Sequence, residues 1–167
     1  MKTLLIMRHA DPHVSAPDGT DFARALTTLG EAQAAAQGHF LAEGGLMPER
    51  ILASAAVRAN DTAHLVAAAA RAAPPVEARQ ELYNAPGDTL LEQVRELSDE
   101  VGRLLLVAHM PGVGELASLL VTEHVDLNVK LSPATLVQIV VDTERWRDVD
   151  YGTGVLLRLR PPPGAPV

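Results

Sequence analysis

Short apolar runs recur along the chain and end at polar or charged residues. The clearest runs cover residues 4–7, 51–53 and 104–108. A run that is apolar at every position is typical of a strand buried on both faces, in a sheet that helices cover. Residues 76–78 predict one more short strand.

The segments between these strands carry helical signals. Thr28 and Glu31 have the spacing of a capping box, and small and apolar residues then recur at helical intervals until Gly44 and Gly45. Three further helices are predicted: residues 59–73, which a pair of prolines ends, residues 89–97, and residues 113–120.

Strands that alternate with helices predict an α/β domain. We expect residues 1–160 to form a single-domain three-layer α/β/α sandwich around a largely parallel sheet. Residues 136–141 and 155–159 predict late strands, for which we favour a place near a sheet edge and leave an antiparallel direction open. The proline-rich residues 161–167 are expected to form a frayed tail.

Composition and charge narrow the classes of function. The chain of 167 residues has 21 acidic and 14 basic side chains, a formal net charge of -7, so we expect no nucleic-acid partner. The absence of cysteine excludes disulfides, thiolate zinc sites and a cysteine nucleophile. The first apolar run is too short for a signal peptide or a membrane span, so we expect a cytoplasmic protein without a membrane partner.

Candidate chemistry collects where the predicted strands end. Arg8 and His9 follow the first strand, Ser54 follows the second, and His109 follows the run at 104–108. Ligands of parallel α/β sheets bind at this carboxyl edge. His9 offers a ring nitrogen, and Arg8 offers a planar set of donors that suits phosphate oxygens. Taken alone, an Arg-His pair favours a structural histidine at a strand end.

Four segments together resemble the histidine phosphatase superfamily, in particular its short branch of SixA-like phosphohistidine phosphatases. The segments are LIMRHA at 5–10, RALTTLG at 24–30, SAAVRANDTA at 54–63 and VAHMPG at 107–112, in the order of the family's motifs. The family often has proline after the serine of the third segment and asparagine after the second histidine. Ala55 and Met110 stand there in this chain, which leaves pocket shape and substrate choice open.

The resemblance implies a phosphatase that needs no metal or cofactor and forms a covalent phosphohistidine on His9. Arg8 and Arg58 would clamp the phosphoryl oxygens, Arg24 would join them, and His109 would donate a further hydrogen bond. Fixed positive donors of this kind stabilise the charge on a phosphoryl group in transfer. The expected partner is a phosphorylated protein, above all one carrying phosphohistidine, or a small phosphoester or phosphoramidate.

The proton donor is less well defined. Larger relatives protonate an alkoxide leaving group with a carboxylate, and Glu81 lies where such a residue is expected, although a surface glutamate fits as well. Asp11 is a weaker candidate for the same role. For Ser54, capping of the turn before the helix is favoured over a contact with phosphate.

Two other functions fit part of the pattern. One is a phosphate-recognition module without turnover, which the intact His9 argues against because binding alone needs no nucleophile. The other is a metallohydrolase that uses His9, Asp11 and His13, which lacks a partner motif of ligands downstream.

Overall fold

Strands and helices alternate along the chain, as the apolar pattern predicts. The computed structural model describes residues 1–71, 73–122 and 130–164. The strands are β1 (Lys2–Arg8), β2 (Arg50–Ser54), β3 (Val76–Arg79), β4 (Arg103–Ala108), β5 (Leu136–Val141) and β6 (Gly154–Arg160). The helices are α1 (Thr28–Glu43), α2 (Val57–Ala70), α3 (Gly87–Arg95) and α4 (Gly112–Thr122), with short 3-10 helices at Gln80–Leu82 and Trp146–Asp148.

The strands that the structure describes form one mixed six-stranded sheet in the order β3-β2-β4-β1-β5-β6. The first four strands of this order are parallel, whereas β5 pairs antiparallel with β1 and β6 antiparallel with β5. The predicted α/β class and the largely parallel sheet are therefore confirmed, and the late strands are antiparallel, with β6 at the edge.

Strand β1 is buried on both faces of the sheet because successive side chains point to opposite sides. Leu4 and Ile6 pack into a core with residues of α3 and α4, whereas Leu5 and Met7 pack into a second core with residues of α1 and α2. All four side chains are fully buried. Burial of a side chain of this size contributes about 1.5–3 kcal/mol, so the layers hold the end of β1 rigidly in place.

Helix α1 begins one residue earlier than the capping-box interpretation requires. The N-cap is Thr27, whose Oγ1 accepts from the Gly30 backbone N–H at 3.0 Å. The Thr27 hydroxyl also donates to the Asp11 carboxylate at 2.7 Å, which ties the helix start to the loop after β1. A side chain at Gly30 would overlap the Asp11 carbonyl oxygen. The capping box of Thr28 and Glu31 is therefore wrong, since tertiary contacts select the neighbouring threonine.

Helix α2 ends earlier than predicted. Its last residue is Ala70, and Arg71 takes a left-handed conformation with φ of 64°. Pro74 favours an extended backbone at residue 73, so the helix does not reach the predicted end there. None of the helices in the described ranges has the length and apolar character needed to cross a membrane. Residues 165–167 of the predicted tail lie outside the described residues.

Helices α1 and α2 pack closely through small residues. A Cβ atom at Gly38 would overlap the Val66 carbonyl oxygen and lie 2.7 Å from the Ala69 Cβ. We expect Gly38→Ala to lower the free energy of unfolding by about 1–3 kcal/mol, because overpacking outweighs the better helix propensity of alanine. Chemical denaturation checks this. The control is His39→Ala, at an exposed position of the same helix, which should change the free energy of unfolding by less than about 0.5 kcal/mol.

Candidate active site

The candidate site lies at the carboxyl ends of β1, β4 and β2, which are neighbours in the sheet. His9 follows β1 and His109 follows β4, and their ring centroids are 5.2 Å apart. Arg58 lies in the first turn of α2, and its Nε is 3.3 Å from His9 Nε2. Residues that are distant in sequence thus meet at one edge of the sheet.

His9 is held in one tautomer and kept neutral. Its Nδ1 lies 2.8 Å from the Ala10 carbonyl oxygen, which only accepts, so Nδ1 carries the proton and Nε2 keeps its lone pair. Burial, together with the guanidiniums of Arg58, Arg8 and Arg24, lowers the pKa of His9 to about 4, although the Ala10 carbonyl opposes that shift. His9 is only 5% exposed. Near neutral pH its ring is therefore neutral, and Nε2 is the nitrogen that can act as a nucleophile.

His109 is oriented by Ser54. Its Nε2 lies 2.8 Å from Ser54 Oγ, and that oxygen also accepts from the Ala56 backbone N–H at 3.3 Å. Ser54 Oγ therefore stabilises the turn before α2, whose N-cap is Ala56, and the Ser54 hydroxyl hydrogen can point to His109. The buried His109 Nδ1 has no hydrogen-bond partner among the described residues. Burial, His9 and Arg58 lower the pKa of His109 to about 3, so its ring is neutral as well.

Arg58 is almost fully buried and is paired with Asp21. Asp21 Oδ2 lies 2.9 Å from Arg58 Nη2, and the Asp21 carbonyl oxygen accepts from Arg58 Nη1 at 2.6 Å. Tyr83 donates its hydroxyl to Asp21 Oδ2 at 2.7 Å and packs edge-on against the His109 ring. The Tyr83 hydrogen bond, with Arg24 and Arg58, lowers the pKa of Asp21 against the effect of burial, so its carboxylate stays ionised.

Arg8 and Arg24 reach the site by different routes. Arg8 Nη1 donates to the Leu131 carbonyl oxygen at 2.8 Å, while its buried Nε has no partner within the described chain. Burial and the nearby Arg58 lower the pKa of Arg8. Arg24 joins through Asp21, whose Oδ1 lies 2.9 Å from Arg24 Nη1. The result is a concentration of positive charge beside His9 in a protein of formal charge -7.

Glu81 and Asp11 are the candidate proton donors. Glu81 is exposed on the first 3-10 helix and lines an open polar cleft with Glu77, Arg79, Gln93 and Glu96. Asp11 accepts from the Thr27 hydroxyl at 2.7 Å and so belongs to the start of α1. Within the described ranges, neither forms a hydrogen bond or ion pair with His9, Arg58 or His109.

The segment from His9 to His13 does not form a metal-ligand cluster. The His9 ring is buried, whereas the His13 side chain is exposed. Among the residues that the structure describes, no three histidine or carboxylate side chains are grouped so that they could hold a metal ion.

Asp21 and Tyr83 were missed by the sequence analysis. Both lie outside periodic segments, and Asp21 meets Arg58 and Tyr83 across separations of 37 and 62 residues. A usable signal was the spacing of three residues between Asp21 and Arg24, which suits an ion pair. The link to Arg58 has no counterpart in the local sequence.

Comparison with known proteins supports the resemblance seen in the sequence. Residues 4–88 match the model of the histidine phosphatase superfamily (branch 1), and the chain belongs to this family. An uncharacterized protein of Mycobacterium tuberculosis is 30% identical over 167 residues, which cover 93% of this chain and 99% of that protein.

Solved structures of similar fold extend the match beyond the region of the family model. A structure from Nakamurella multipartitia that is assigned as the phosphohistidine phosphatase SixA is 25% identical, has a TM-score of 0.84, and covers 98% of this chain and 97% of that chain. The structure of the protein histidine phosphatase SixA complexed with tungstate is 23% identical, has a TM-score of 0.81, and covers 96% of this chain and 97% of that chain. The two proteins therefore share a fold. The family and these neighbours support phosphatase activity for this chain.

Proposed function

We propose that this protein is a phosphatase in which His9 takes the phosphoryl group from the substrate and carries it as a covalent phosphohistidine. The observation that carries the proposal is a buried, neutral imidazole whose Nε2 carries no proton and accepts a 3.3 Å hydrogen bond from Arg58 Nε. A nucleophile of this kind needs no base to activate it, because Nε2 carries no proton, and a phosphoryl oxygen that takes over the Arg58 Nε hydrogen bond frees the lone pair for attack.

In the first step, His9 Nε2 attacks phosphorus in line with the leaving group. A phosphorus–nitrogen bond forms, and the bond from phosphorus to the leaving atom breaks. The leaving atom keeps the electron pair and takes a proton from solvent water. In the second step, water attacks phosphorus and the phosphorus–nitrogen bond breaks. Its electron pair returns to Nε2, the protons of the water leave with inorganic phosphate or to solvent, and the neutral ring is restored. Arg58, Arg8 and Arg24 balance the charge on the equatorial oxygens, and His109 donates its Nδ1 hydrogen to one of them.

The substrate that fits best is phosphohistidine in a protein or a small phosphoramidate, with small phosphoesters as the alternative. The carboxylate that contacts the arginines is Asp21, and its lowered pKa makes it a poor proton donor. An imidazole leaving group needs less help from an acid than an alkoxide does. The name SixA, given to neighbours of the same fold, points to the same substrate.

A substrate panel tests this proposal. The purified protein, with excess chelator present, is assayed against a phosphohistidine protein, phosphoramidate and alkyl phosphomonoesters. We expect hydrolysis of the phosphorus–nitrogen substrates without added metal. Activity that chelator removes and one divalent ion restores would instead support the metallohydrolase.

The same panel examines Glu81, which we propose as proton donor for ester substrates only. Glu81→Gln should slow ester hydrolysis by about 10²–10⁴-fold and leave phosphoramidate hydrolysis unchanged. Glu77→Gln, in the same cleft, is the matched control. If Glu81→Gln hydrolyses the ester as fast as wild type does, Glu81 is not the proton donor.

The pH dependence of kcat/KM should follow His9. Since the ring reacts only when unprotonated and its pKa is about 4 rather than the usual 6.5, kcat/KM should stay level on acidification through 6.5. Below the His9 pKa of about 4, kcat/KM should fall about tenfold per pH unit. The measurement uses a substrate whose own titration is determined separately. A decline that begins near 6.5 would contradict the buried, neutral state of His9.

A further inference from the structure

We propose that Asp21 is a positioning residue that turns the Nε edge of Arg58 toward His9, and that the Tyr83 hydroxyl holds Asp21 in place for this purpose. The inference rests on the proposed function, because it assigns a role in the same reaction. Asp21 itself does not touch the phosphoryl group and acts only through Arg58.

The hydrogen bonds of Arg58 divide its guanidinium into two edges. Asp21 takes the end of the group, with its carbonyl oxygen on Nη1 at 2.6 Å and its carboxylate on Nη2 at 2.9 Å. Nε lies on the side edge of the group and donates to His9 Nε2 at 3.3 Å. A guanidinium has five N–H donors in a fixed plane, so holding one edge fixes the direction of the other.

This orientation suits phosphoryl transfer to His9. A phosphoryl oxygen that lies beside Nε2 can replace His9 as the acceptor of the Arg58 Nε hydrogen bond, while Asp21 keeps its contacts with Nη1 and Nη2. Paired N–H donors in one plane match the geometry of phosphate oxygens. An arginine that could rotate freely would have to be ordered in the transition state, at a cost in rate.

Asp21 is itself held from a second direction. The Tyr83 hydroxyl donates to Asp21 Oδ2 at 2.7 Å, and the Tyr83 ring packs edge-on against Phe22 with centroids 5.1 Å apart. The Phe22 carbonyl oxygen accepts from the Val57 N–H at 3.1 Å, directly before Arg58. The loop that carries Asp21 is thus bound to the helix that carries Arg58 through main chain as well as side chain.

The position of Asp21 separates this role from a purely structural one. Its side chain is 46% exposed, so its removal opens no cavity in the core, while Arg58 beside it is only 4% exposed. The buried guanidinium depends on Asp21 for its end-on contacts. Loss of Asp21 should therefore disturb the direction of Arg58 far more than the stability of the fold.

The test compares Asp21→Asn, Asp21→Ala and Tyr83→Phe with Asp18→Asn as control. Asp18 lies in the same exposed loop, and its carboxylate bonds to Thr20. We expect both Asp21 variants to lose about 10–100-fold in kcat/KM, mostly in kcat, and Tyr83→Phe to lose about 3–10-fold. Asp18→Asn should stay within about twofold of wild type.

A double-mutant cycle with Arg58 distinguishes positioning from structure. If Asp21 acts through Arg58, the variant that combines Asp21→Ala with Arg58→Ala should be no slower than Arg58→Ala alone. Multiplied losses would overturn the proposal, and so would higher turnover and tighter orthovanadate binding in Asp21→Asn, which would mean that Asp21 blocks the site. Thermal unfolding of each variant monitors folding, and Tyr83→Phe removes too little to unfold the chain.

Orthovanadate binding separates failure of the inference from failure of the proposed function. A wild type that hydrolyses no member of the substrate panel would refute the proposed function. Orthovanadate affinity would still report on the Arg58 edge, and we expect Asp21→Ala to weaken it by about tenfold relative to wild type. Unchanged orthovanadate affinity in Asp21→Ala, with unchanged kcat where turnover exists, would overturn the inference alone.

Discussion

Replacing His9 with alanine should abolish turnover and leave most of the affinity for oxyanions. The substitution removes the atom that accepts the phosphoryl group, whereas Arg58, Arg8 and Arg24 still supply charge around it. Loss of a nucleophile in covalent catalysis costs about 10⁴-fold or more in kcat. Steady-state kinetics on phosphoramidate measures the first quantity, and calorimetric titration with tungstate measures the second.

The matched control for this prediction is His13→Ala. His13 is four residues away, and its side chain is exposed. Turnover in His13→Ala should match that of wild type. Substantial turnover in His9→Ala would mean that another group is the nucleophile, and a loss in both variants would revive the cluster of His9, Asp11 and His13 as a metal site.

Arg58→Ala should weaken binding and catalysis together. Arg58 faces the phosphoryl position in the ground state and in the transition state, so KM should rise as kcat falls. Removal of one such charged donor costs about 10²–10³-fold in kcat. Arg58→Lys should recover little, because a lysine ammonium lacks the planar edge that Asp21 holds and that faces His9.

The control for Arg58→Ala is Arg50→Ala. Arg50 lies at the start of β2, at the opposite end of that strand from the site, and it forms an exposed ion pair with Glu77. Its removal should change kcat/KM by less than about twofold. A fall in kcat without change in KM or tungstate affinity for Arg58→Ala would contradict the clamping role.

The sheet could be predicted because burial leaves a simple mark on the sequence. The runs at 4–7 and 104–108 become the central strands β1 and β4, whose residues contact a core on both faces. The boundaries of α1 and α2 were harder to predict from the sequence. Thr27 was selected over Thr28 by its bond to Asp11, a contact between segments that no local pattern encodes.

The candidate site was accessible where its residues follow strands. His9 and His109 could be placed together because parallel strands present their carboxyl ends on one edge. Asp21 and Tyr83 could not, since loop residues carry no periodic signal and their contacts depend on how two loops fold over the sheet. The lowered pKa values of His9 and His109 could not be predicted from the sequence either, because they follow from burial and from charges that the fold brings near.

The measurement that tests the central claim most directly is phosphoryl labelling of the protein. Wild type is mixed rapidly with a substrate that carries radioactive phosphate, quenched in base and analysed for protein-bound label. We predict label that is stable to base and labile to acid, as expected of a phosphorus–nitrogen bond, and its absence in His9→Ala. Label that persists in His9→Ala, or label that is stable to acid, would contradict His9 as the phosphoryl acceptor.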